Sequence, residues 1–171
     1  MERWFFDRAR DGDVYKSSNI VATANVALAA THTGLVLSNP VGSGQFLVVK
    51  EWFWTPSTAA TAPSQIGLGT GPSANSTNVV HTTPCVIHNA LEAGSNNDTG
   101  VGLVDESATL PDTPVNLYPL TGHVSAVGHS AAYLSFGGTM ILRPGTYLAS
   151  FDLTQRSTGL HTVVWAEILQ F

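Results

Sequence analysis

The chain has 171 residues, a formal net charge of −5, 43% apolar residues and only 11% charged ones. That length suits one domain. Ample apolar content excludes disorder, and two lysines cannot supply the charged faces of a helical bundle. Of the 7 Lys and Arg, four precede residue 17. The remaining chain therefore has no basic stripe to neutralise phosphates, which excludes nucleic acid and an anionic membrane as its partners.

Residues 1–16 hold eight of the chain's charges around an aromatic knot, Trp4-Phe5-Phe6, and close on the turn signal Asp11-Gly12-Asp13. The segment reads as an N-terminal arm. Arg3, Trp4, Phe5, Phe6, Arg8 and Arg10 are its expected partner-binding residues, and a strand or short helix docked on the body is the alternative. It has no apolar core like that of a secretory signal, so synthesis in a cytoplasm is expected.

From residue 17 to 171 the pattern is strands and turns. Residues 19–30 and 33–38 read as extended, and Asn39-Pro40-Val41-Gly42-Ser43-Gly44 is a dense turn signal. Residues 45–54 are the strongest strand, apolar on both parities: Phe46, Val48, Trp52 and Trp54 on one, Leu47, Val49 and Phe53 on the other. Such a strand lies at the centre of a sandwich or is covered by a partner chain. Trp52 and Trp54, with Glu167, are accordingly the expected subunit interface of a homotrimer or other closed ring.

A short strand at 65–69 and a turn at 71–76 follow. Residues 78–91 are extended but broken by Pro84, which implies an edge or a bulge, and 93–99 form a polar tip. Further strands are expected near 100–104, 114–120, 131–136 and 139–142. Arg143-Pro144-Gly145 has the chemistry of a type II turn. Residues 146–154 and 160–170 read as a closing hairpin. Nine or ten short strands without helical periodicity describe an all-β sandwich, and an eight-stranded jelly roll fits the length. The expected division is arm 1–16 and body 17–171.

Chemistry is sparse. Cys85 is the only cysteine, so no internal disulfide forms. Cys85 and His88 have metal-pair spacing, but on a strand His81 would share a face with Cys85 while His88 points away. His123 and His129 stand alone. Asp105 and Glu106 are adjacent and diverge. Asp152 and Glu167 could be neighbours across the closing hairpin, and Glu167, on the apolar parity between Trp165 and Leu169, is read as an interface or structural carboxylate. Gly67-Leu68-Gly69-Thr70-Gly71 lacks the lysine and helix of a phosphate loop and reads as a bend. Asn75-Ser76-Thr77 and Asn97-Asp98-Thr99 match the glycosylation triplet by chance. No catalytic residue, metal site or cofactor is expected.

Three stretches carry a resemblance: Gly34-Leu35-Val36-Leu37-Ser38-Asn39-Pro40 with Gly42-Ser43-Gly44; Leu142-Arg143-Pro144-Gly145-Thr146-Tyr147; and Val164-Trp165-Ala166-Glu167. In this order they resemble small jelly-roll virion proteins of tailed bacteriophages, over roughly residues 30–171. The resemblance implies a non-enzymatic structural role in a virion, as a capsid decoration or cement protein bound to the major capsid protein or another virion protein. The alternative is the receptor- or carbohydrate-binding head of a tail or head fibre.

Overall fold

Apolar alternation and glycine-rich turns divide the described residues into twelve strands and one helix. In the computed structural model, residues 2–58, 63–71, 77–91, 100–123, 131–154 and 157–170 are described. The polar tip at 93–99, the Asn97 triplet, Asn75, Ser76 and His129 lie outside them. The elements are α1 (Glu2–Asp11), β1 (Val14–Ser18), β2 (Thr23–Ala24), β3 (Thr31–Asn39), β4 (Gln45–Pro56), β5 (Ser64–Thr70), β6 (Val80–Pro84), β7 (Ile87–Asn89), β8 (Leu103–Thr109), β9 (Val115–His123), β10 (Ala132–Leu142), β11 (Thr146–Asp152) and β12 (Thr158–Leu169).

Two antiparallel sheets pack face to face. One runs β10-β4-β12-β1-β7, with β2 beside β12, and the other β6-β8-β3-β11-β5-β9. The pairs β1–β12, β3–β11, β4–β10 and β5–β9 join outermost to outermost and innermost to innermost. This is a long hairpin rolled up on itself, the connectivity of a jelly roll. Between β5 and β9 an insertion adds β7 to the first sheet and β6 and β8 to the second. The core between the sheets includes Leu35, Leu37, Leu47, Trp52, Leu148, Val163 and Trp165.

The two apolar parities of β4 have a local cause. In the β4–β12 ladder, Val164 faces Glu51 but Trp165 faces Val49, so Lys50 is an extra residue. A bulge of this kind flips the side-chain alternation. Leu47 and Val49 before it, and Trp52 and Trp54 after it, are all buried. Opposite the bulge, β10 turns through Gly137 and Gly138, both at positive φ. The segments 131–136 and 139–142 are thereby one irregular strand.

Four expectations are corrected. A boundary at residue 16 would cut β1, which starts at Val14 and lies between β12 and β7. Residues 19–30 contribute only the two residues of β2. Residues 78–91 form strands in different sheets, β6 and β7, with Pro84 ending the edge strand β6. Finally, β11 and β12 are not a hairpin: Asp152 pairs with Ile66 in one sheet and Glu167 with Leu47 in the other. A jelly roll passes from sheet to sheet at that connection, so the two carboxylates do not meet.

Two turns read from sequence are formed. Gly145 has φ +81° and Thr146 N donates to Arg143 O at 3.1 Å, completing the type II turn. The Asn39–Gly44 turn uses Gly42 and Gly44 at positive φ. Buried Asn39 ties both turns together: its Nδ2 donates to Gln45 O and Leu142 O, each at 2.8 Å, while its carbonyl accepts from Gly145 N. The first two sequence stretches of the resemblance thus meet at one end of the sandwich.

Candidate interaction surface

The segment expected as an arm is a helix. Phe5 and Ala9, four residues apart, face one side. The helix ends in a Schellman motif: Gly12 at φ +87° donates to Ala9 O, and Asp13 N donates to Arg8 O. Phe5 is buried against Val14, Val48 and Ala166 on the outer face of the first sheet, with Trp4 and Ala9 beside it. The second apolar side of β4 is therefore covered in part by the chain's own helix. Two of the three expected partner arginines are engaged locally. Arg8 bonds Asp13 at 3.0 Å and lies 5.6 Å from the Trp4 ring centroid, and Arg10 contacts Asp7 and Asp11. Arg3 and Phe6 remain exposed.

The expected interface residues lie elsewhere. Trp52 and Trp54 are fully buried in the chain's own interior, because the Lys50 bulge turns both inward; they cannot line a subunit contact. Glu167 is also buried. Its carboxylate accepts from Val101 N at 2.8 Å, Gly102 N at 2.9 Å and Trp165 Nε1 at 3.0 Å. Three N–H donors hold the charge and anchor the segment entering β8. A side chain on Gly102 would meet the Trp165 indole at 2.9 Å, so the clasp requires glycine there.

A buried polar network closes the opposite end of the sandwich, and sequence reading overlooked it. His161 Nδ1 accepts from Trp52 Nε1 at 3.0 Å, which fixes the proton on Nε2; that nitrogen donates to Asn25 Oδ1 at 2.8 Å. Asn25 Oδ1 also accepts from Ser150 Oγ, which itself accepts from Leu35 N. His32 Nε2 donates to Ser150 O at 2.9 Å. The network joins β12 of one sheet to β3 and β11 of the other. Burial, the larger cause, holds His32 down at about 4 and His161 at about 3. One signal was available: His161 shares the inward parity of Val163, Trp165 and Glu167.

The reactive types in 81–88 are likewise satisfied or enclosed. His81 pairs through Nδ1 with buried Asp105. Cys85 is buried, and desolvation, then the Glu106 and Asp105 charges, pushes its thiol up to about 12, so it is a poor nucleophile. His88 lies in the other sheet, beside Lys16. Among the described residues no group of three His, Cys, Asp or Glu could hold a metal ion, and no helix is long and apolar enough to cross a membrane.

The outward face of the first sheet carries exposed aromatic and apolar side chains beside charged ones. Beyond the helix, Phe53 and Tyr133 are cross-strand neighbours with centroids 4.9 Å apart and planes at 39°. The Tyr133 hydroxyl donates to Glu51 at 3.2 Å, and Glu51 also takes Lys50 Nζ at 3.3 Å. An open groove of about 310 Å³ links Phe6 and the helix to Lys50. A second groove, about 470 Å³, runs along β1 and β7 past Lys16, Ile20, Val86 and His88. Compared with known proteins, the chain matches no family model and no curated sequence.

Proposed function

We propose that the chain is a non-enzymatic structural protein of a tailed-phage virion, a capsid decoration or cement protein that self-associates and binds another virion protein. One observation carries the reading. The side chains of His32, Cys85, Asp105, His161 and Glu167 are enclosed or clasped by the chain itself, while Phe53, Tyr133 and Ile141 stand exposed on the outward face of one sheet. Such a molecule is equipped to dock, not to turn over a substrate. The sequence resemblance supports the same reading. Antibody raised against the purified chain and imaged on particles of the producing phage tests it: regular labelling of heads is expected, and unlabelled particles refute it.

A second reading, a carbohydrate- or receptor-binding fibre head, is favoured by the exposed Phe53–Tyr133 pair beside Glu51, since aromatic faces stack on sugars. Label confined to fibre tips, with saccharide binding lost in Tyr133→Ala, would select it.

A further inference from the structure

We infer that the part of the first sheet's outer face left uncovered by α1 is a self-association surface, and that its occupant is the same face of a second copy, related by a twofold axis. This rests on the self-associating part of the proposed function and names the surface involved. The patch is continuous. Phe6 borders the groove that reaches Lys50, Lys50 bonds Glu51, Glu51 accepts from Tyr133, and Tyr133 packs on Phe53. Ile141 extends it along β10, opposite Val48.

Area favours a protein partner. Phe6 is 67% exposed, Tyr133 57%, Ile141 53% and Phe53 37%. With aromatic rings offering roughly 150–250 Å² each, these four side chains present about 400 Å² of mainly apolar surface. That is already within the range of the largest patch on a typical monomer, and a surrounding rim would bring it toward the roughly 800 Å² per partner of a standard interface.

Charge favours a second copy. Lys50 and Glu51 place both signs side by side at the centre, so the face has no net sign with which to select a charged partner. Under a twofold axis Lys50 of one copy approaches Glu51 of the other, and the same residues serve both sides. A flat sugar ring is less well served: the two aromatic planes are tilted by 39° and offer no common platform.

The test is the mass of the full chain by sedimentation equilibrium across a concentration series, for wild type, Tyr133→Lys, Phe53→Glu and Leu169→Lys. Leu169 is an exposed apolar control on β12, outside the patch. Wild type and the control should show the mass of two chains. Each patch variant should weaken association at least about 30-fold, as expected for a central aromatic anchor, with thermal unfolding confirming that it is folded. A second measurement needs no destabilising charge. Tyr133→Ala should likewise shift the pair toward single chains at the same concentrations. A wild-type mass of one or three chains overturns the proposal, as does an unchanged mass in both charged patch variants and in Tyr133→Ala. Saccharide binding lost in the same variants, with wild type monomeric, would assign the face to sugar. A dimer through this face on unlabelled virions would leave the inference standing and refute the virion reading alone.

Discussion

Replacing Phe5 with Ala separates a docked helix from a free arm. Phe5 is 5% exposed and packs on Val14, Val48 and Ala166. Truncating a buried Phe to Ala costs about 3–5 kcal/mol, the spread reflecting how far the site can collapse. Here an open groove lies beside the ring, so the helix can shift, and the lower end, about 3 kcal/mol, is expected. For a domain of this size, that lowers Tm by roughly 6–12 °C. Buried Trp52, Trp54 and Trp165 make intrinsic fluorescence a direct reporter in thermal and urea unfolding. Phe6→Ala, at a 67% exposed neighbour, should stay within about 0.5 kcal/mol. If Phe5→Ala costs less than about 1 kcal/mol, or no more than Phe6→Ala, the helix is not part of the folded body and the reasoning fails. Deleting 1–16 is a poor test of attachment, since it also removes Val14, Tyr15 and Lys16 from a strand paired on both sides.

Glu167→Ala strips the acceptor from three N–H donors and should cost about 3 kcal/mol or more in urea unfolding; a loss under about 1 kcal/mol would mean that the clasp is not formed. Gly34→Ala would place a Cβ 2.4 Å from Ser150 Oγ and 2.6 Å from Asn25 Oδ1, at φ +134°, so the variant should yield little soluble protein, and normal yield with an unshifted Tm would contradict the network. Folded His32 and His161 stay neutral down to about 4 and 3, whereas the unfolded chain protonates them near about 6.5. The unfolded state then binds more protons, so their contribution is flat above about pH 6.5 and turns destabilising as pH falls from there toward 4 and 3. Urea midpoints should drop across that window, less steeply in His161→Gln; equal slopes would show that His161 is not held neutral.

The sandwich and its turns were legible in the sequence because they rest on local rules. Pro144 and Gly145 set one turn, Gly42 and Gly44 another, and strand alternation marks Val163 and Trp165 as inward. Glycine after Asp11 even marks the end of the helix, although a docked helix stands in the sequence only as the alternative to an arm: ten residues, heavily charged, show little periodicity beyond Phe5 and Ala9. The destination of Trp52 and Trp54 could not be read, since one bulged residue, Lys50, reverses every side chain beyond it, and the bulge exists only in the pairing with β12 and β10. Asp152 and Glu167 part for a similar reason: adjacency along the chain says nothing about a connection that crosses between sheets. Sequence composition placed the apolar surplus in β4 but not its partners. The tertiary fold divided that surplus among the core, the chain's own helix and an outward face left open, because burial is settled by whatever surface lies opposite once the sheets have rolled up.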